Sequence, residues 1–198
     1  EFQKAFTKLS KMGMKSLILS LKGNGGGYLN AAHQLADEFL NRNKLIVYTQ
    51  GLNQPKSIME STASGSFETG KLIVLVDEYS ASASEIVAGA LQDWDRAIIV
   101  GRRTFGKGLV QRQLPLADGS MLRLTTARYY TPTGRSIQKP YKDGVEKYSK
   151  ELINRFNHGE LLHADSIHFP DSLRYQTLQL KRNVYGGGGI MPDIFVPL

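Results

Sequence analysis

The sequence predicts an α/β domain built around a parallel sheet. Short apolar runs alternate with amphipathic helical patterns in a strand, turn, helix, strand order, the grammar of right-handed crossovers. One run, Lys71 to Asp77 (KLIVLVD), is almost wholly apolar. Strands buried on both faces of a parallel sheet have that composition. A further pair of runs, Leu109 to Leu116 and Met121 to Tyr130, flanks the turn Ala117-Asp118-Gly119 and reads as an antiparallel pair beside the parallel core.

Each element follows from local pattern. Phe2, Phe6 and Leu9 recur at helical spacing before Gly13, so a short helix opens the chain. Ser16 to Leu21 (SLILSL) is a compact strand, followed by the turn KGNGGG and a helix predicted from about Tyr28 to Asn41 with an apolar stripe through Ala32, Leu35, Ala36 and Phe39. Lys44 to Thr49 (KLIVYT) is expected to complete a βαβ unit with these two. Gly51 to Gly70 is polar and rich in Ser, Thr and Gly, a long connection with room for a ragged hairpin. After the Lys71 strand comes a helix over Ala83 to Trp94, then a strand over Ala97 to Gly101. From Lys139 the character changes: Val145 to Phe156 reads as a helix, the rest is polar, and a last strand lies at Ile194 to Val196. The predicted organisation is a core of residues 1–138 and 183–198 interrupted by an insertion, 139–182, to which the sequence assigns no role.

Composition narrows the chemistry. The chain has no cysteine, which removes a thiol nucleophile, a disulfide framework and a Cys-based zinc site. The net charge of +7 invites a nucleic-acid reading, but the basic residues are scattered among acids and no basic run carries interleaved aromatics, so a solvated basic surface is expected and no nucleic-acid partner. No run reaches the length of a membrane span. His158, His163 and His168 are spaced by five, which gathers them on neither a helix face nor a strand face, and no metal or cofactor is expected.

The chemistry concentrates between Asp77 and Gln111. Ser82 sits at a strand-to-helix corner, where Ser82-Ala83-Ser84-Glu85 matches a capping box. The same corner exposes a serine beside the backbone donors and positive end of a helix, so the cap and the nucleophile readings share one geometry. Lys107, between Gly106 and Gly108, is the candidate base. A lysine serves as a base only when neutral, which calls for desolvation, and Phe105 is at hand to supply part of it. Gly101 to Lys107 also satisfies GxxxxGK, but Gly108 follows in place of Ser or Thr and a strand follows in place of a helix, so nucleotide binding is not expected. The glycine loop Gly23 to Gly27 precedes a helix and reads either as a tight turn or, with Gly27 and the N–H of Ala83, as an oxyanion hole.

With these residues assembled, the chain resembles the catalytic domain of the carboxy-terminal processing peptidases, also called tail-specific proteases. The likeness rests on LILSLKGNGGG, SASASEIVAGALQD, GRRTFGKGLVQ, DGSMLRLTTARYYTPTGRSIQ and GIMPDIFV, in that order. It implies a crotonase/ClpP-like β/α core, Ser82 as nucleophile, Lys107 as general base, Gln111 as the residue orienting the lysine, and Gly27 with Ala83 as the oxyanion hole. It also implies polypeptide substrates cleaved near their C-terminal region, a PDZ domain in the full-length protein with this chain a truncated part of it, and a periplasmic location in a bacterial envelope; oligomeric state stays open. In the first motif the family prefers an aspartate, an arginine and a proline where this chain has Ser20, Lys22 and Gly25. Four residues of straight strand separate Lys107 from Gln111 by roughly 13 Å, so the chain is expected to bend near Gly108 if Gln111 is to reach the lysine. Two other classes share some of these features: a catalytically incomplete peptide-binding module, and a crotonase-like acyl-thioester enzyme, which needs the glycine loop but not the serine and lysine pair.

Overall fold

The structure, a computed structural model, describes residues 2–198. Its centre is a four-stranded, all-parallel sheet in the order β1-β4-β5-β10, made of β1 (Ser16–Ser20), β4 (Lys71–Val76), β5 (Ile98–Gly101) and β10 (Ile194–Phe195). β4 occupies an inner position, as its continuous apolar sequence requires, with Leu72, Val74 and Val76 buried. α3 (Ala83–Asp93) carries the chain from β4 to β5, and all of its residues are buried. This β4-α3-β5 unit is the βαβ crossover from which the candidate site hangs.

A second sheet, ordered β3-β2-β7-β6, is antiparallel throughout and comprises β2 (Leu45–Gly51), β3 (Gln54–Glu60), β6 (Leu109–Pro115) and β7 (Met121–Tyr130). Here the expected β1-helix-β2 unit is corrected: β2 does not join β1. Its sequence LIVYTQG brings in Thr49 and Gln50, a pattern suited to a half-covered antiparallel sheet, and Tyr48 stacks on Tyr130 of β7 with centroids 4.8 Å apart. β4, with no such polar interruption, takes the place beside β1. The 51–70 stretch, expected as a long connection with room for a hairpin, instead contributes β3, which pairs back onto β2 with two register shifts.

α1 (Phe2–Lys11) lays Phe6 into an aromatic cluster with Phe2, Phe39 and Phe67. That cluster explains why α2 (Leu29–Asp37) stops four residues short of the predicted Asn41. Phe39 and Leu40 leave the helical path and are fully or almost fully buried, while the Glu38 carbonyl accepts the N–H of Phe67. The segment 139–182 holds α4 (Gly144–Asn157) and β8 (Arg174–Gln176), the latter paired with β9 (Asn183–Tyr185) in a small antiparallel ribbon. Deep in the molecule Arg135 pairs with Asp93 at 2.7 Å, both side chains wholly inaccessible, and donates to the Gln92 side chain and the Tyr185 carbonyl. Among the described residues, no helix is long and apolar enough to cross a membrane.

Candidate active site

The corner between β4 and α3 is built by carboxylates and backbone. Asp77, just beyond β4, accepts the N–H of Gly23 at 2.9 Å and the N–H groups of Tyr79 and Ser80, so the strand end and the glycine loop are tied together. The Ser80 hydroxyl donates to the Leu21 carbonyl at 2.7 Å. Ser82 follows with φ 57° and ψ −114°, a backbone region that side-chain-bearing residues rarely occupy. Strain of this kind costs about 1–3 kcal/mol and persists only where neighbours over-determine it. They do so here: Glu85 accepts the Ser82 N–H at 2.8 Å, and the Ser82 carbonyl accepts the N–H groups of Glu85 and Ile86. Glu85 thus supplies its half of the capping box expected from the sequence, its carboxylate reaching back to the Ser82 N–H.

The glycine loop packs directly on this corner. Gly26 has φ +95°, and a Cβ there would lie 2.6 Å from the Ala81 carbonyl oxygen and 2.7 Å from the Ala83 nitrogen, so only glycine fits. Asn24 fastens the loop, its side-chain oxygen accepting the Gly26 N–H and its carbonyl accepting both the Ala81 N–H and the Ser84 hydroxyl. Gly27 and Ala83 then line one apolar cavity of about 140 Å3 with Leu21, Ala32, Leu35 and Val87. Neither N–H has an acceptor among the described residues. The glycine loop and the start of α3 thus each leave a backbone donor unspent beside this cavity.

The lysine arrives from β5 through Arg102 to Gly106. Gly108 passes so close to the next segment that a Cβ would meet Ile137 at 2.8 Å and the Gln138 nitrogen at 2.9 Å, the close approach that its flanking position predicts. The link to the serine corner is Glu85. One carboxylate oxygen accepts the Thr104 hydroxyl at 2.5 Å and the Gly106 N–H at 2.7 Å; the other accepts the N–H of Ser82 and the N–H of Lys107, both at 2.8 Å. The backbone nitrogens of Ser82 and Lys107 therefore lie within twice that distance of each other. Burial pushes the Glu85 carboxyl above the ordinary carboxylate range, opposed by the hydrogen bonds from Thr104, Lys107, Gly106 and Ser82.

Side chains are less closely joined than backbones. No hydrogen bond connects the Ser82 hydroxyl to the Lys107 amine among the described residues. Lys107 opens instead on a cavity of about 670 Å3 walled by Phe105, Leu109, Tyr141 and Tyr148. Gln111 and Thr125 face the same cavity, and the Gln111 amide donates to the Thr125 hydroxyl at 3.5 Å rather than to the lysine. Lys107 and Gln111 line this one cavity, and the register shift between β6 and β7 lies at Val110 and Gln111, where the extra residue is Thr126 of β7.

The model of Peptidase family S41 matches residues 1–147, about three quarters of the chain and all five of these site residues. The chain belongs to peptidase family S41. Among its relatives, the carboxy-terminal-processing protease of Bartonella bacilliformis is 49% identical over 126 residues, covering 63% of this chain and 29% of its own length. The chloroplastic C-terminal processing peptidase of Tetradesmus obliquus is 42% identical over 139 residues, covering 69% and 29%. The solved structure of a photosystem II D1 C-terminal processing protease superposes with a TM-score of 0.68 at 31% identity, over 98% of this chain and 38% of that one. A putative S41 protease from Bacteroides fragilis shares the fold at a TM-score of 0.59 and 16% identity. The S41 chain spans less than a third of the length of these curated relatives.

Several residues that shape this S41 site carry no sequence signal of that role. Glu85 is legible as a cap partner, but nothing local shows that its carboxylate reaches residues about twenty positions further along. Asn24 and Asp77 had weak signals only, an Asx residue inside a glycine turn and an acid at the end of a buried strand. His33 bonds the Glu60 carbonyl and His158 the Asn154 carbonyl, and no cluster of three or more His, Asp or Glu side chains with metal-site geometry occurs among the described residues.

Proposed function

We propose that this chain is the catalytic domain of a serine endopeptidase that cuts polypeptides near their C-terminal region with a Ser82 and Lys107 dyad. The observation that carries the reading is the shared Glu85 oxygen, which roots both residues at one point. Lys107 Nζ takes the Ser82 hydroxyl proton as Oγ attacks the scissile carbonyl carbon. The oxyanion is held by the N–H groups of Gly27 and Ala83, each such donor contributing about 3 kcal/mol. The Lys107 ammonium then protonates the leaving amine as the C–N bond breaks. Water, deprotonated by Lys107, attacks the acyl carbon, and Ser82 recovers its proton as the ester bond breaks. Gln111, across the shared cavity, steadies the lysine once substrate draws Nζ toward Oγ.

The test is cleavage of an unstructured polypeptide by the full-length protein, read by mass spectrometry. Ser82→Ala and Lys107→Ala each abolish the products while the fold is kept; near-normal proteolysis by folded Lys107→Ala refutes the dyad. Labelling of Ser82 by a serine-directed acylating reagent counts against the acyl-thioester alternative. A PDZ domain elsewhere in the full-length protein belongs to this reading. So does a periplasmic location, although the matched relatives include chloroplastic as well as bacterial proteins, and cell fractionation decides it.

A further inference from the structure

The S41 match ends at residue 147, before most of the insertion, yet the insertion reaches the lysine loop. Arg155, near the end of α4 and with 4% of its side chain accessible, donates from Nη1 to the Thr104 carbonyl at 3.1 Å and from Nη2 to the Arg103 carbonyl at 2.5 Å. Its Nε donates to Glu160 at 2.8 Å, and Glu160 also accepts Nε and Nη2 of Arg103 at 2.6 Å. Arg103 continues to the Gly188 carbonyl. Two residues beyond Thr104, the Gly106 carbonyl accepts the Lys139 N–H at 2.9 Å, and the Lys139 ammonium sits over the rings of Phe105 and Tyr148 while pairing with Glu151.

The loop before Lys107 is thus held on two sides by different parts of the chain. Its N–H groups at Gly106 and Lys107 face inward to Glu85; its carbonyls at Arg103 and Thr104 face outward to Arg155. Two successive carbonyls buried without donors would be costly, and a planar guanidinium presents the paired donors that satisfy both at once. A lysine at this position supplies one compact ammonium and no fork. We propose that Arg155 is a positioning residue for Lys107, and that the insertion braces the lysine loop so that the base stands where Ser82 requires it. The inference rests on the serine and lysine reading given above.

The experiment measures, in the full-length protein, the acylation rate of Ser82 by p-nitrophenyl acetate and the kcat and KM for an unstructured polypeptide. Arg155→Ala is expected to lower acylation and kcat roughly ten- to hundredfold, the loss that a displacement of about 1 Å brings, with KM little changed and cooperative melting retained. In a Lys107→Ala background the same replacement has no further effect, since its action runs through the lysine. Arg155→Lys, which keeps the charge beside Glu160 and loses the fork, recovers only part of the rate and serves as the deciding variant if Arg155→Ala does not fold. A parental acylation rate in the deciding variant overturns the proposal, as does an equal loss with and without Lys107. Parental acylation by Lys107→Ala overturns the dyad itself, an outcome distinct from parental acylation by the Arg155 variants.

Discussion

Ser82 and Lys107 share an acceptor, yet the corners that carry them are built from different parts of the molecule. The serine corner is held by near neighbours and the glycine loop: Asp77, Ser80, Asn24 and Glu85, all inside or beside the β4-α3-β5 unit. The lysine corner takes one support from that unit, Glu85, and another from the segment 139–182, Arg155 with Glu160. A serine at a strand-to-helix turn can be set by local geometry. A lysine on a long loop after β5 cannot, because nothing within a few residues of it offers buried acceptors and donors in the right places.

Removing the shared acceptor should strike both corners at once. Glu85→Ala leaves three backbone N–H groups and the Thr104 hydroxyl without their acceptor, so activity falls at least about a hundredfold and stability by about 3 kcal/mol, checked by peptide cleavage and urea unfolding. Unchanged activity in a folded Glu85→Ala protein would show that the corners are held independently.

Gly26→Ala should disturb the serine side alone. Its Cβ meets Ala81 and Ala83 backbone at 2.6 and 2.7 Å in a positive-φ conformation, so a loss of about 1–3 kcal/mol and at least a tenfold fall in Ser82 acylation are expected. The lysine side serves as the control: amide hydrogen exchange at Gly106 and Lys107 should stay as in the parent, and faster exchange there would mean that the two corners move as one.

The smallest effect separates the corners by pH. Burial disfavours the charged form of Glu160, but the hydrogen bonds and charges of Arg103 and Arg155 outweigh it and hold its carboxyl below the ordinary range. Its stabilisation is therefore complete above the unfolded carboxylate pKa and disappears as pH falls through the depressed folded value. Glu85 has the opposite sign, raised by burial, so its contribution is complete below the unfolded pKa and fades as pH rises through the folded value. Glu160→Gln should flatten the acid side of the melting-temperature profile while leaving the Glu85 side intact. A profile that keeps its full acid slope in Glu160→Gln would place the acid-sensitive group elsewhere.

The β4-α3-β5 unit was legible in the sequence because each signal is local: an apolar run, a capping pair three residues apart, a second apolar run. Gly108 was legible too, since its close approach follows from flanking the lysine. β2 was not, for its apolar start matches a parallel strand as well as an antiparallel one, and only competition with the more apolar β4 for the place beside β1 sends it to the other sheet. α2 ended early because a cluster of four phenylalanines drawn from distant segments outweighs helical periodicity at Phe39.

By itself, then, the sequence determined the serine at a capped corner, the glycine loop before a helix and the lysine between glycines, because hydrogen-bonding and steric preferences that act over a few residues are written in a few residues. Only the tertiary structure decided that one Glu85 oxygen holds Ser82 and Lys107 together, and that Arg155 closes the loop from outside. Those contacts join groups 22 and 51 positions apart in the chain. They exist only once β4 and β5 have paired and the segment 139–182 has folded back upon them, so no local pattern records them.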